Sequence, residues 1–161
     1  FFNIEIYKLT MKNHFEIFNI NPSLDLNMDF IEEKYLELQL KSHPDLMINK
    51  SPEEQQKAAN DSSNINNAYE ILKDPLKRAI YFLEINNIFI DSIKPDNMLL
   101  MEIMEIKEEF EMADKKKREV IKKDLKNKID LLYQEITALT NKNNIAKAGE
   151  KIVLLKYLSK L

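Results

Sequence analysis

Gly149 is the only glycine in a chain of 161 residues, and this scarcity removes most β architectures from consideration. Tight hairpin turns need backbone with positive φ, a conformation that falls mainly to glycine. The bulk of the chain is Leu, Ile, Glu and Lys, a composition dominated by helix formers. An all-α fold is expected, and the length suffices for one domain with a proper core or for two small ones.

Hydrophobic spacing divides the chain into helical segments. Asn13-His14-Phe15-Glu16 has the shape of a capping box and opens a short helix carrying Phe15 and Phe18. Asn21-Pro22-Ser23 reads as a turn, after which Asn27 or Asp29 caps a helix whose Ile31, Tyr35 and Leu38 share one stripe. A further helix carries Ala58, Ile65, Ala68, Tyr69 and Leu72, and Asp74-Pro75 marks a fresh start for a helix running from Leu76 to about Glu84. Residues 88–95 read as a linker. Beyond it, segments at about 96–113, 115–140 and 144–160 are joined by very short turns, which makes them antiparallel neighbours in a three-helix bundle. Ile121, Leu125, Leu132, Ile136 and Leu139 form the expected core stripe of its middle helix. Residues 1–10 are short and mixed in charge, lack a small-residue cleavage site and precede the first interpretable element. They are expected to be an unstructured extension with no part in the fold.

His43-Pro44-Asp45 lies between two of these helices. Proline biases the residue before it towards extended backbone, so the first helix ends near Ser42. Ser51 then caps the next helix, with Pro52 at its first position and Glu54 closing a capping box. The expected product is an antiparallel helix pair with a stiff, exposed tripeptide at its tip.

Composition excludes several classes of function. The formal charge is only −3, with both signs interspersed, and gives no nucleic-acid signature. Apolar runs are too short to span a bilayer. Without cysteine there is no disulfide, thiolate metal site or cysteine nucleophile. The two histidines, His14 and His43, stand far apart in sequence, so neither a zinc site nor a nucleophile–base pair assembles. No enzyme activity, metal or cofactor is expected.

The run from Ile65 through Asn66-Asn67-Ala68-Tyr69 to Asp74-Pro75, Arg78-Ala79 and Tyr81, taken with His43-Pro44-Asp45, resembles the HscB family of iron–sulfur co-chaperones. The likeness extends over roughly residues 11–161. It implies an N-terminal J-domain at 11–87, a linker at 88–95 and a C-terminal helical bundle at 96–161. It also implies that His43, Pro44 and Asp45 engage an ATPase chaperone of the HscA/DnaK type and stimulate hydrolysis. The bundle would bind an IscU-type scaffold on which clusters are assembled. Tyr69, Arg78 and Tyr81 belong to the motif but read as packing and helix-tethering groups.

The fifth helix supports that division of labour from its own residues. Leu99, Ile103, Ile106 and Phe110 suffice as a core face. Leu100, Met101 and Met104 lie away from it, beside Glu105 and Glu108, as an adaptable apolar surface rimmed by charge. In the family, the matching motif faces the scaffold, and Tyr157 on the last helix matches an aromatic position of the same surface. The bland alternatives are that Leu100, Met101 and Met104 bury against the other domain, and that Tyr157 is core.

Lys34 and Lys41 share one face of the helix that leads to His43, and are the candidate cations for an acidic chaperone partner. Glu32, Glu33 and Glu37 crowd the same helix, and Leu46 follows the loop where family likeness would place a cation. Weak electrostatic steering, low chaperone affinity and poor service to generic chaperones are therefore expected. The rival functions are a general J-protein for unfolded clients, which usually needs a Gly/Phe-rich region or a client-binding β-domain, and an α-helical adaptor with no chaperone contact. A bacterial cytoplasm suits these residues best, and a mature mitochondrial matrix protein is compatible with them.

Overall fold

The computed structural model describes residues 12–161, and the extension expected at 1–10 lies outside the described residues. Among the described residues the regular structure is entirely helical: α1 (His14–Ile17), α2 (Met28–Lys41), α3 (Pro52–Lys73), α4 (Pro75–Ile85), α5 (Asn97–Met112), α6 (Lys115–Asn141) and α7 (Ile145–Leu158). Short 3₁₀ turns occupy Pro44–Met47 and Ile90–Ser92. The chain separates into two compact units between Arg78 and Ala79, a point that falls inside α4.

In the first unit, helix starts follow the capping chemistry of the sequence. Asn13 accepts from the Glu16 amide at 3.0 Å while the Glu16 carboxylate accepts from the Asn13 amide at 2.9 Å. Asn27, rather than Asp29, caps α2 by accepting from the Phe30 amide at 3.1 Å. Ser51 and Glu54 exchange the same reciprocal pair at the head of α3, with Pro52 as its first residue. The hydrogen bond from the Ser51 amide holds the Glu54 carboxyl below its ordinary pKa. Phe15, Phe18, Leu24, Ile31, Ala68 and Leu72 are essentially inaccessible and make the core. The Arg78 guanidinium, itself buried, donates from Nη1 to the Met28 sulfur at 3.4 Å.

Helices α2 and α3 meet along a polar seam as well as an apolar one. Tyr35 donates from its hydroxyl to Asn66 Oδ1 at 2.9 Å, and Gln39 donates to the same oxygen at 2.8 Å. Gln39 Oε1 accepts from the Ser62 hydroxyl at 2.9 Å. Rising numbers on α2 meet falling numbers on α3, so the pair is antiparallel. The rings of Tyr35 and Tyr69 stack within this seam.

In the second unit, Asp96, Asp114 and Asn144 cap α5, α6 and α7. The Arg118 side chain donates to the carbonyls of Phe110 and Glu111, closing the C-terminal end of α5 from the first turn of α6. The core gathers around Leu83, Ile103, Leu132, Ile136, Ile152, Val153, Leu155 and Leu158. The middle-helix stripe is fully buried at Leu132 and Ile136, whereas Ile121, Leu125 and Leu139 are only half-buried. The stretch 88–95 is packed: Ile90 is buried, Asp91 pairs with Lys156 at 2.9 Å, and Ile93 lies on α7. Gly149 permits that approach, because a β-carbon there would stand 2.8 Å from Ile93 Cδ1.

Asparagine takes the turn role that glycine usually fills. Asn19, Asn87 and Asn143 have φ of 56°, 59° and 56°. In each case the next amide reaches the carbonyl five residues back (Phe15, Leu83 and Leu139), and the asparagine amide reaches three back. These are Schellman C-caps, in which asparagine tolerates the left-handed conformation better than other side chains do.

Candidate functional site

Two surfaces carry the candidate residues, one in each unit. The first is the tip of the α2–α3 pair. His43 is extended, at φ −63° and ψ 134°, as the residue before a proline must be. Its Nδ1 accepts from the Asp45 amide at 3.2 Å, and its carbonyl accepts from the Leu46 amide at 3.0 Å. In the neutral ring this places the imidazole proton on Nε2. The Asp45 carboxylate lies 3.6 Å from Nδ1, and its side chain is 80 % exposed. The tripeptide thus presents a rigid backbone, an imidazole edge and an almost fully hydrated carboxylate.

Below the tip, Gln55 on α3 donates to the Lys50 carbonyl at 3.0 Å and ties the loop to the helix. Ser42, Pro44, Met47, Ile48, Ala58 and Ala59 line a hollow of about 350 Å³ beside it. Gln55 escaped sequence reasoning, because a glutamine one turn into a helix looks solvent-facing. Lys34 and Lys41 lie on the exposed side of α2, as their spacing implies, but neither is free. The Glu37 carboxylate accepts from Lys34 at 2.8 Å and from Lys41 at 2.7 Å. These two hydrogen bonds lower the Glu37 pKa to about 2, and the same contact raises that of Lys34.

The second surface is the outer side of α5. Met101 and Met104 are each 62 % exposed, Glu105 and Glu108 are exposed and Leu100 is half-buried. Ile103 is buried on the opposite side, with Leu99, Ile106 and Phe110 half-buried around it. Met101 and Glu105 enter a groove of about 560 Å³ between α5 and α7, whose far wall is Glu150, Lys151 and Leu154. Leu100, Met104 and Glu108 lie outside that groove, and so does Tyr157, which is half-buried on α7 one turn beyond Leu154. Met98, 81 % exposed, also lines the groove. Sequence reasoning missed it, although its spacing of three from Met101 was the signal. An ion pair between Glu102 and Lys128 braces α5 against α6.

A family model for the DnaJ domain matches residues 13–81. A second, described as the HSCB C-terminal oligomerisation domain, matches residues 95–161. A curated relative from Vibrio campbellii, Co-chaperone protein HscB homolog, is 32% identical over 157 residues, covering 92% of this chain and 92% of the relative. The chain belongs to the HscB co-chaperone family. Among solved structures, chaperone HscB from Vibrio cholerae is similar at a TM-score of 0.82 and 27% identity, over 92% of each chain. The human co-chaperone HscB gives a TM-score of 0.87, covering 94% of this chain and 79% of that one; at 24% identity the likeness is one of fold.

HscB-family membership makes this a J-domain co-chaperone of iron–sulfur cluster assembly, and a J-domain implies an Hsp70-type partner. Its homologues are co-chaperones, a non-enzymatic class. Among the described residues, no helix of this HscB-family chain is long and apolar enough to cross a membrane.

Proposed function

We propose that the chain stimulates an HscA/DnaK-type ATPase through His43, Pro44 and Asp45, with Lys34 and Lys41 flanking the contact. It would deliver to that ATPase an IscU-type scaffold held by Leu100, Met101, Met104, Glu105, Glu108 and Tyr157. The chain catalyses nothing itself, contacts neither nucleic acid nor membrane, and works in a bacterial cytoplasm, a reading that its Vibrio relatives support. The division into a J-domain at 11–87, a linker at 88–95 and a scaffold-binding bundle at 96–161 is part of the same proposal. Family matches at 13–81 and 95–161 support it.

One observation carries the reading. Methionines are exposed on α5 although Ile103, on the other side of the helix, already supplies a buried anchor. An unbranched, polarisable side chain suits a surface that must fit another protein's contour, and carboxylates at Glu105 and Glu108 fix its orientation. The test is calorimetric titration of the chain with an IscU-type scaffold, beside a variant carrying Leu100→Ser, Met101→Ser and Met104→Ser. Saturable binding that disappears in a folded variant is the expected result. Equal binding by the two proteins would remove the α5 face from the proposal.

A further inference from the structure

The expected basic flank of the tip is occupied from within. Helix α2 carries Asp29, Glu32, Glu33 and Glu37 against only Lys34 and Lys41. Glu37 sits three residues after one lysine and four before the other, so a single carboxylate reaches both ammonium groups, one through each oxygen. All three side chains remain accessible, at 39 %, 44 % and 66 % exposure for Lys34, Glu37 and Lys41. An acidic partner surface approaching these lysines must therefore displace Glu37 or accept its carboxylate beside the partner's own acidic groups. Like charges brought together at an interface weaken association and slow the encounter.

We propose that Glu37 sets the affinity of the tip for its ATPase partner, by holding Lys34 and Lys41 out of contact with an acidic face on that partner. The inference rests on the ATPase-stimulating role proposed for His43-Pro44-Asp45. In this arrangement the tripeptide makes the specific contact, and the lysines add little attraction until Glu37 lets go. Exposed pairs of this kind are worth about 1 kcal/mol or less, so Glu37 acts as an attenuator and not as a lock.

The experiment measures the half-maximal concentration for stimulating a specialised HscA-type ATPase, using wild type, Glu37→Gln, and Glu37→Gln combined with Lys34→Gln and Lys41→Gln. Removing one negative charge beside two cations is expected to lower the half-maximal concentration about 3- to 10-fold at low ionic strength. The gain should fade as the Debye length shrinks from about 10 Å at 0.1 M salt to about 3 Å at 1 M. It should also vanish in the triple variant. A stimulating wild type whose half-maximal concentration is not lowered by Glu37→Gln overturns the inference alone, as does a gain that survives loss of both lysines. A wild type that leaves the ATPase unchanged overturns the tip's proposed role, and the inference with it.

Discussion

The ring of Tyr35 stacks on the ring of Tyr69, with centroids 4.2 Å apart and planes inclined by 15°. This contact joins α2 to α3 beside the hydrogen bonds that converge on Asn66. Lys73 lies 5.2 Å from the Tyr69 centroid and extends the stack as a cation–π contact. The stack therefore braces the stems that carry the His43-Pro44-Asp45 tip. A double-mutant cycle with Tyr35→Leu and Tyr69→Leu should return a coupling of about 0.5–1.5 kcal/mol, measured by urea unfolding. A coupling near zero would mean that the two rings act only by separate burial.

Asp45→Asn should abolish ATPase stimulation without altering the loop. The bond to His43 Nδ1 comes from the Asp45 backbone amide, which asparagine keeps. Only the charge of an exposed carboxylate is lost, so helical circular dichroism and the melting temperature should be unchanged. Stimulation at the wild-type level would show that the carboxylate makes no contact.

Met101→Ser combined with Met104→Ser should lower stability by less than about 1 kcal/mol, because both side chains already face water. Thermal melting checks this directly. A loss of several kcal/mol would show that the α5 face is packed in solution.

Glu37 should titrate with a midpoint of about 2, well below its ordinary 4.5, because Lys34 and Lys41 donate to its charged form. A carboxylate whose pKa is depressed on folding stabilises the folded state above its unfolded pKa and loses that contribution as pH falls through the folded one. The window is therefore pH 4.5 down to about 2, and no dependence on Glu37 is expected near neutrality. Carboxyl carbon shifts followed by NMR give the midpoint, and Lys41→Gln should raise it.

Gly149→Ala should leave stability within about 1 kcal/mol of wild type. Alanine gains about 1 kcal/mol of helix propensity over glycine, which offsets the displacement of Ile93 Cδ1, the movable end of its side chain. Gly149→Val should cost about 1–3 kcal/mol, since a β-carbon there is already crowded by Ile93 and in contact with Leu83 at 3.7 Å, leaving little room for two further methyls. Chemical denaturation of both variants separates crowding from propensity.

Helix existence and most helix starts were legible because they depend on local chemistry: Asn13 with Glu16, Ser51 with Pro52 and Glu54, and Pro75 after Asp74. The choice between Asn27 and Asp29 was not, since both side chains can cap and only the path of the chain decides. Burial along α6 was overestimated for Ile121, Leu125 and Leu139, because periodicity reports which face is apolar but not how far the neighbouring helices cover it. The seam of Gln39, Ser62 and Asn66 was invisible for a related reason, as polar residues on a helix look solvated until their partners are known. Glu37 was legible in spacing, three and four residues from the two lysines, yet it read as crowding. Its bridging role depends on which rotamers the three side chains adopt.

The three asparagine turns constrain future sequence change in a particular way. At Asn19, Asn87 and Asn143 the residue type answers to the hand of the backbone, since a left-handed cap costs most other side chains about 1–2 kcal/mol. Relatives should therefore favour two letters at these positions, asparagine and glycine, while the exposed faces of the flanking helices vary more widely. The most tolerant positions for introducing glycine into a chain that almost lacks it are those where asparagine already imitates it.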